Sequence, residues 1–216
     1  MTVYLYVLSI GPVQDFIAAA RRTRDLWFGS HLLSEISKAA AKQIMVDQGN
    51  IIFPSPKDPG VDLEPSDQRD AFNVANIILA ELEVRDVKDI EQLDKNAKKA
   101  ATDRWKEYAD QAKSDAASVI DETIWDEQVE DVIEFYSAWV PFQKKTYASD
   151  RVQLMRLLAA RKSTRNFEQP KGNHPGIDKS SLDGARETVL KKDKDIPGKQ
   201  FPKDLALRMR RSKGEQ

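Results

Sequence analysis

The sequence of 216 residues has no cysteine and only two histidines, His31 and His174. These absences exclude disulfides, thiolate zinc sites, a cysteine nucleophile and a histidine-rich metal centre, and they fit a reducing cytoplasm. No apolar run approaches the roughly 20 residues that a membrane-spanning helix needs. The stretch Val3–Ile10 has no basic flank before it and no small-residue cleavage site after it, so it does not read as a signal peptide. What the chain does have is charge: 32% of its residues are Asp, Glu, Lys or Arg, beside 40% hydrophobic ones, enough to bury a real core. The net charge of −1 conceals a division, because residues 1–150 carry 17 Lys and Arg against 27 Asp and Glu (−10) and residues 151–216 carry 17 against 8 (+9). A basic end of this kind suits an anionic partner, either nucleic acid or the acidic part of the same protein.

The stretch Thr2–Met45 organises the rest. Val3, Leu5 and Val7 alternate with Tyr4, Tyr6 and Leu8, which predicts a strand apolar on both faces and therefore central in its sheet. Gly11-Pro12 ends it. Beyond the turn the period changes to about 3.6. Phe16, Ala20, Trp27, Leu33, Ile36, Ala40 and Ile44 fall near one stripe, while Arg21, Arg22, Arg24, Asp25, Glu35, Lys38 and Lys42 lie mostly off it. One long helix is expected, from Pro12 to a stop at Gly49. Gly29-Ser30 interrupts it. Glycine inside a helix costs roughly 1 kcal/mol relative to alanine, so either the helix kinks there or another group approaches its backbone closely.

Asn50–Phe53 reads as a short strand, the prolines at 54, 56, 59 and 65 as an irregular loop, and Asn73–Val84 as a second strand paired with the first. Val87–Trp125 has helical spacing, with a bend or new start near Ser114-Asp115, and the acidic run Asp121–Asp131 reads as a solvated face that fixes no metal geometry. Asp131–Phe142 is rich in β-branched and aromatic residues and reads as a strand. Asp150–Ala160 reads as a helix with Val152, Met155, Leu158 and Ala159 on one side, and Lys179–Leu190 as a loop leading into a short helix. The fold class is α+β. The order βαββαβ is the ferredoxin-like arrangement, an antiparallel sheet with helices on one face.

Three segments carry a resemblance. Ser9-Ile10-Gly11-Pro12-Val13-Gln14-Asp15-Phe16-Ile17, continued from Ala20 to Ser34, is similar to the start of the first palm domain in one family. That family is the large, polymerase/cyclase-like subunit of type III-B CRISPR effector complexes, the Cmr complexes. The runs Arg161 to Phe167 and Lys179 to Glu187 resemble segments that follow this palm, in the same order. The resemblance implies a ferredoxin-like palm with a helical insertion over residues 1–148, then a basic helical and loop segment over 149–216 that begins the next region. The chain would then be a fragment of a large subunit or one product of a split gene. Its partners would be other Cmr-type subunits, the missing second palm and guide or target RNA, in RNA-guided antiviral defence and without a membrane.

Members of this family make cyclic oligoadenylates from ATP, with the catalytic metals in a second palm bearing Gly-Gly-Asp-Asp, and many carry an HD nuclease domain. Neither a Gly-Gly-Asp-Asp nor a His-Asp pair occurs here, so the resemblance implies no catalytic residue and no metal ligand in this chain alone. It leaves a half-pocket for ATP. Ser9 stands where an active palm would place a metal-binding Asp. With Gly11 and Gln14 at a helix start that favours phosphate, and with the Gly29-Ser30 break, it is a candidate for nucleotide contact. A sharp turn and a packing glycine would account for the same residues structurally.

Arg21 and Arg24 share a helix face. Arg161, Lys162, Arg165 and Phe167 combine cations with an aromatic ring, the mixture that holds single-stranded nucleic acid. Together with Lys179 and Arg186 these are the candidates for nucleic-acid or subunit contact, against salt bridges within the protein. Two other readings stay open. One is a free-standing cyclase or polymerase-like nucleotidyltransferase palm, which needs paired carboxylates on adjacent strand ends; the other is a small RNA-binding module built on the basic third.

Overall fold

Strand β1, Thr2–Gly11, runs through the middle of a four-stranded antiparallel sheet. The computed structural model describes residues 1–20, 22–66, 72–164, 174–180, 184, 186–192 and 195–196, apart from the side chains of Asp15 and Phe16. Contacts divide the chain into two units, Met1–Lys106 with Val132–Gln169 and Glu107–Asp131 with Pro170–Gln216. The sheet lies in the first.

Its other strands are β2 (Asn50–Phe53), β3 (Ile77–Val84) and β4 (Glu134–Pro141), in the order β2-β3-β1-β4. Tyr6 stands opposite Ala80 on one side and Trp139 on the other, so β1 is paired along both edges. Period-two alternation then decides which residues face which layer. Leu5 and Val7 pack with Leu79, Val140 and Phe142 on one face, while the Tyr6 hydroxyl on the other face donates to Asp94 at 2.8 Å.

Both faces are covered. On the Tyr6 side lie helices α2 (Thr23–Val46) and α4 (Val87–Ala116); Leu33, Ile36, Ala40 and Ile44 of the first and Ile90, Leu93, Ala97 and Ala101 of the second are buried at three- and four-residue spacing. On the Leu5 side lies α6 (Tyr147–Ser163), anchored by Leu154 and Leu158. Helices on one face alone, as the βαββαβ order suggested, would leave Leu5 and Val7 in water at a cost of about 1.5–3 kcal/mol each. Residues 149–163 therefore pack within the first unit.

The expected single helix from Pro12 is two. Helix α1 is Val13–Ala19, and α2 starts at Thr23 after extended backbone at Ala20 and Arg22. Gly29 and Ser30 lie inside α2 without a break. The Arg22 N–H donates to the Asp25 carboxylate at 3.1 Å, which starts α2 at that point. Elsewhere β3 begins at Ile77, not Asn73. The proline loop also holds one helical turn, α3 (Pro59–Asp62), capped by Asp58 accepting from the Gly60 N–H at 3.1 Å.

The second unit contains the end of α4, helix α5 (Glu122–Glu130) and the described residues from His174 onward. Asp121 caps α5 by accepting from the N–H groups of Thr123 and Ile124. Its small core is Val119, Ile120 and Ile196. The expected helix within Lys179–Leu190 is replaced, among the described residues, by antiparallel bridges pairing Lys179 with Glu187 and Ile120 with Leu190. Gly184, at φ +68°, makes the reversal that a side chain would strain. Among the described residues no helix is long and apolar enough to cross a membrane.

Candidate functional site

The end of β1 is where the chain builds a cavity. Ile10 and Asn76 are tied twice: the Ile10 N–H donates to the Asn76 carbonyl at 2.9 Å, and Asn76 Nδ2 donates to the Ile10 carbonyl at 3.0 Å. The Val74 N–H donates to Ser34 Oγ of α2 at 2.8 Å. Residues 74–76 are thus pinned to both β1 and α2. With α1 and the first half of α2 they enclose a cavity of about 310 Å³ lined by Val13, Ile17, Leu26, Gly29, Ser30, Leu33 and residues 74–76. Among the described residues its lining holds no ionisable side chain; Ser30 and Asn76 supply the polar side-chain atoms. Around it α1 and α2 leave apolar surface in water: Ile17 is 53% exposed, and Leu26, Trp27 and Phe28 are nearly as open. Trp27 stacks on His31, rings parallel within 4° and centroids 5.3 Å apart.

Beside the cavity, α2 holds charged groups that periodicity had placed off its core stripe. Glu35 and Lys38 are buried. Lys38 Nζ lies 2.8 Å from Glu35 Oε1, and Oε2 accepts from Arg104 Nη2 at 3.0 Å and from the Ser66 N–H at 3.2 Å. Burial pushes the Glu35 carboxyl up. The bonds from Lys38 and Arg104, the Lys38 charge and the Ser66 N–H outweigh it, and hold the group below its ordinary range. The one available signal was the i,i+3 spacing of Glu35 and Lys38, which an exposed pair shares.

The structure brings two of the expected nucleotide contacts together, Gly29 and Ser30, on the cavity wall. Ser9 is elsewhere. Alternation puts it on the α6 face with Leu5 and Val7, between Ile77 and Tyr136, and only 1% of it is exposed. Gly11 pairs with Glu134, and Gln14 is exposed on an α1 of just seven residues. Among the expected cations, Arg24 is 3.5 Å from Asp25 on α2, whereas Arg161 and Lys162 end α6 on the opposite face of the sheet. Lys162 Nζ sits 5.9 Å over the Tyr136 ring. In the second unit Lys179 bonds Glu187 at 2.5 Å and holds that carboxyl below its usual range, Arg186 faces Asp131 at 3.5 Å, and His174 is 2.7 Å from Glu127. Arg21, Arg165 and Phe167 lie outside the described residues. Among the described residues no group of three acidic, histidine or cysteine side chains is arranged to hold a metal.

A doubly covered antiparallel sheet, with an apolar cavity where its central strand turns into helix, defines an α+β protein built around a strand-to-helix turn. Residues 5–110, which include most of that strand, the turn and the cavity, match the family described as CRISPR-associated protein Cmr2, N-terminal, and this match identifies a Cmr2 N-terminal region in the chain. The chain is accordingly a subunit of a type III-B CRISPR effector, a multi-subunit Cmr assembly that contains other Cas subunits. No curated protein matches the chain.

Proposed function

We propose that this chain is the ferredoxin-like first palm portion of the effector's large subunit. It acts as scaffold and as the half without metal of an ATP pocket for cyclic oligoadenylate synthesis in antiviral defence. The observation that carries this reading is that Gly29 and Ser30, singled out by sequence for nucleotide contact, open on the cavity at the end of β1. The strand order β2-β3-β1-β4 supports the ferredoxin-like part, since a βαββαβ chain gives that order.

The cavity's volume of about 310 Å³ is at the lower end of ligand pockets, which run from about 300 to 1,000 Å³. An apolar lining with a hydroxyl and an amide suits a flat base or ribose. It does not suit a triphosphate, whose charge must be met outside it. That division fits a pocket completed by a second palm, and it leaves this chain without catalysis of its own. The Ser9 expectation is not carried forward, because Ser9 faces the other layer.

Equilibrium dialysis of labelled ATP against the assembled effector tests the proposal. Ser30→Trp, on an exposed residue of the wall, should weaken binding at least about tenfold, or ~1.4 kcal/mol. Unchanged affinity would overturn it. Cyclic or linear oligoadenylate from the chain alone with Mn²⁺ would favour a free-standing cyclase.

A further inference from the structure

Helix α6 has two faces of different use. Leu154 and Leu158 anchor it to the sheet, and Phe142 and Tyr147 meet edge to face at its start, centroids 6.0 Å apart. The sequence grouped Leu158 with Val152, Met155 and Ala159, but the structure separates them: Leu158 is buried and the other three are exposed. Val152, Met155 and Ala159 follow the i, i+3, i+7 spacing of a single helix face, with Val152 52% and Met155 37% exposed. Arg156 borders that stripe on one side, and Lys162 and Arg151 border it on the other.

Among the described residues no carboxylate pairs with Arg151 or Arg156. Asp150, the acidic residue of α6, is occupied at the helix start, accepting from Thr146 Oγ1 at 2.7 Å and from the Gln143 N–H at 3.3 Å. The stripe is apolar and basic, with nothing of opposite charge on it.

We propose that this stripe is a docking face for an acidic amphipathic helix of a partner protein subunit. Apolar side chains of that helix would pack on Val152 and Met155, and its carboxylates would meet Arg151 and Arg156. Ala159 lets a partner backbone come close. RNA fits less well: phosphates would use the guanidinium groups but leave Val152 and Met155 with nothing to bury against. Tyr136, a ring on this side of the sheet, already lies under Lys162. The inference does not depend on the ATP pocket.

The chain has no native cysteine, so Met155→Cys creates a unique thiol. A benzophenone maleimide on it, in the effector reassembled with its other protein subunits and guide RNA, should crosslink on irradiation to an acidic helical segment of a protein subunit. The off-stripe Gln153→Cys should not. A crosslink from position 155 to RNA or to a segment without carboxylates, or no crosslink, overturns the proposal. Independently, reversing both charges (Arg151→Glu with Arg156→Glu) alters exposed residues, so folding checked by circular dichroism should be kept. The affinity for the crosslinked subunit should fall at least about tenfold, and that of the parent should decline with salt. Unchanged affinity sinks the idea.

Discussion

Lys38 Nζ lies 2.8 Å from Glu35 Oε1, and neither side chain has more than 2% of its surface in water. A buried pair contributes little over an apolar replacement, but breaking it strands a charge, at a cost of about 3–5 kcal/mol. Glu35→Ala would strand Lys38, weaken the hold on Arg104 and remove the carboxylate that the Ser66 N–H donates to. Urea denaturation should show a loss in that range. Lys38→Met should cost less, because Arg104 and Ser66 still satisfy the carboxylate. Equal costs for the two would mean that Glu35 does not hold the cluster.

The same carboxylate sets a pH dependence with a definite sign. Its folded pKa lies below the ordinary 4.5. Above 4.5 the unfolded chain is already ionised and the stabilisation is complete. As pH falls below 4.5 the unfolded state takes up the proton first, and stability is lost until the folded pKa is reached. Stability measured down this acid limb should fall less steeply for Glu35→Gln than for the parent. Parallel curves would show that other carboxylates dominate it.

Gly49 is required by space and not by its dihedral angles. A Cβ there would lie 2.5 Å from Ile44 Cγ2, 2.9 Å from the Ile44 carbonyl oxygen and 3.0 Å from Leu82 Cδ2. Gly49→Ala should therefore destabilise by about 1–3 kcal/mol. The left-handed residue at the end of α2 is Gln48, at φ 66°, and a residue other than glycine there costs roughly 1–2 kcal/mol. Gln48→Gly should raise the melting temperature while Gly49→Ala lowers it. The reverse pattern would place the constraint at the wrong residue.

How much of this was legible follows from which signals are local. The central strand was readable because alternating apolar residues on both faces leave no solvent side, and the strands at 50–53 and 134–141 were bounded by prolines. The break after Ala19 was missed because the apolar stripe continues through it; Asp25 reaching back to the Arg22 N–H starts a new helix without changing the pattern. Burial of Glu35 and Lys38 depends on Arg104, 69 residues away, and no window on α2 contains it. At the cavity, Gly29 and Ser30 stood out as a helix-breaking pair. Ser9 was grouped with them because it stands where the resemblance puts an active palm's metal-binding Asp, although its place in the period with Leu5 and Val7 already turned it to the other face.

Tyr6 offers a test of the layer between β1 and α4. Its hydroxyl donates to Asp94 Oδ1 at 2.8 Å, while Lys98 Nζ meets Asp94 Oδ2 at 2.7 Å and Ser137 Oγ at 3.0 Å. Burial, then the Asp94 charge and the bond to it, raise the phenol well above its ordinary 10.0. The neutral phenol therefore stabilises the fold fully below pH 10, and that contribution is lost as pH rises toward the folded value. Absorbance at 295 nm should show Tyr6 ionising together with unfolding, and Tyr6→Phe should remove that component from the alkaline limb. At neutral pH Tyr6→Phe leaves Asp94 one donor short, at a cost of about 1–3 kcal/mol. A double-mutant cycle of Tyr6→Phe with Asp94→Asn should return coupling of about 0.5–3 kcal/mol. Additive effects would mean that α4 is held to the sheet by its apolar stripe alone, with the buried polar chain from Tyr6 to Ser137 contributing no specificity to the packing.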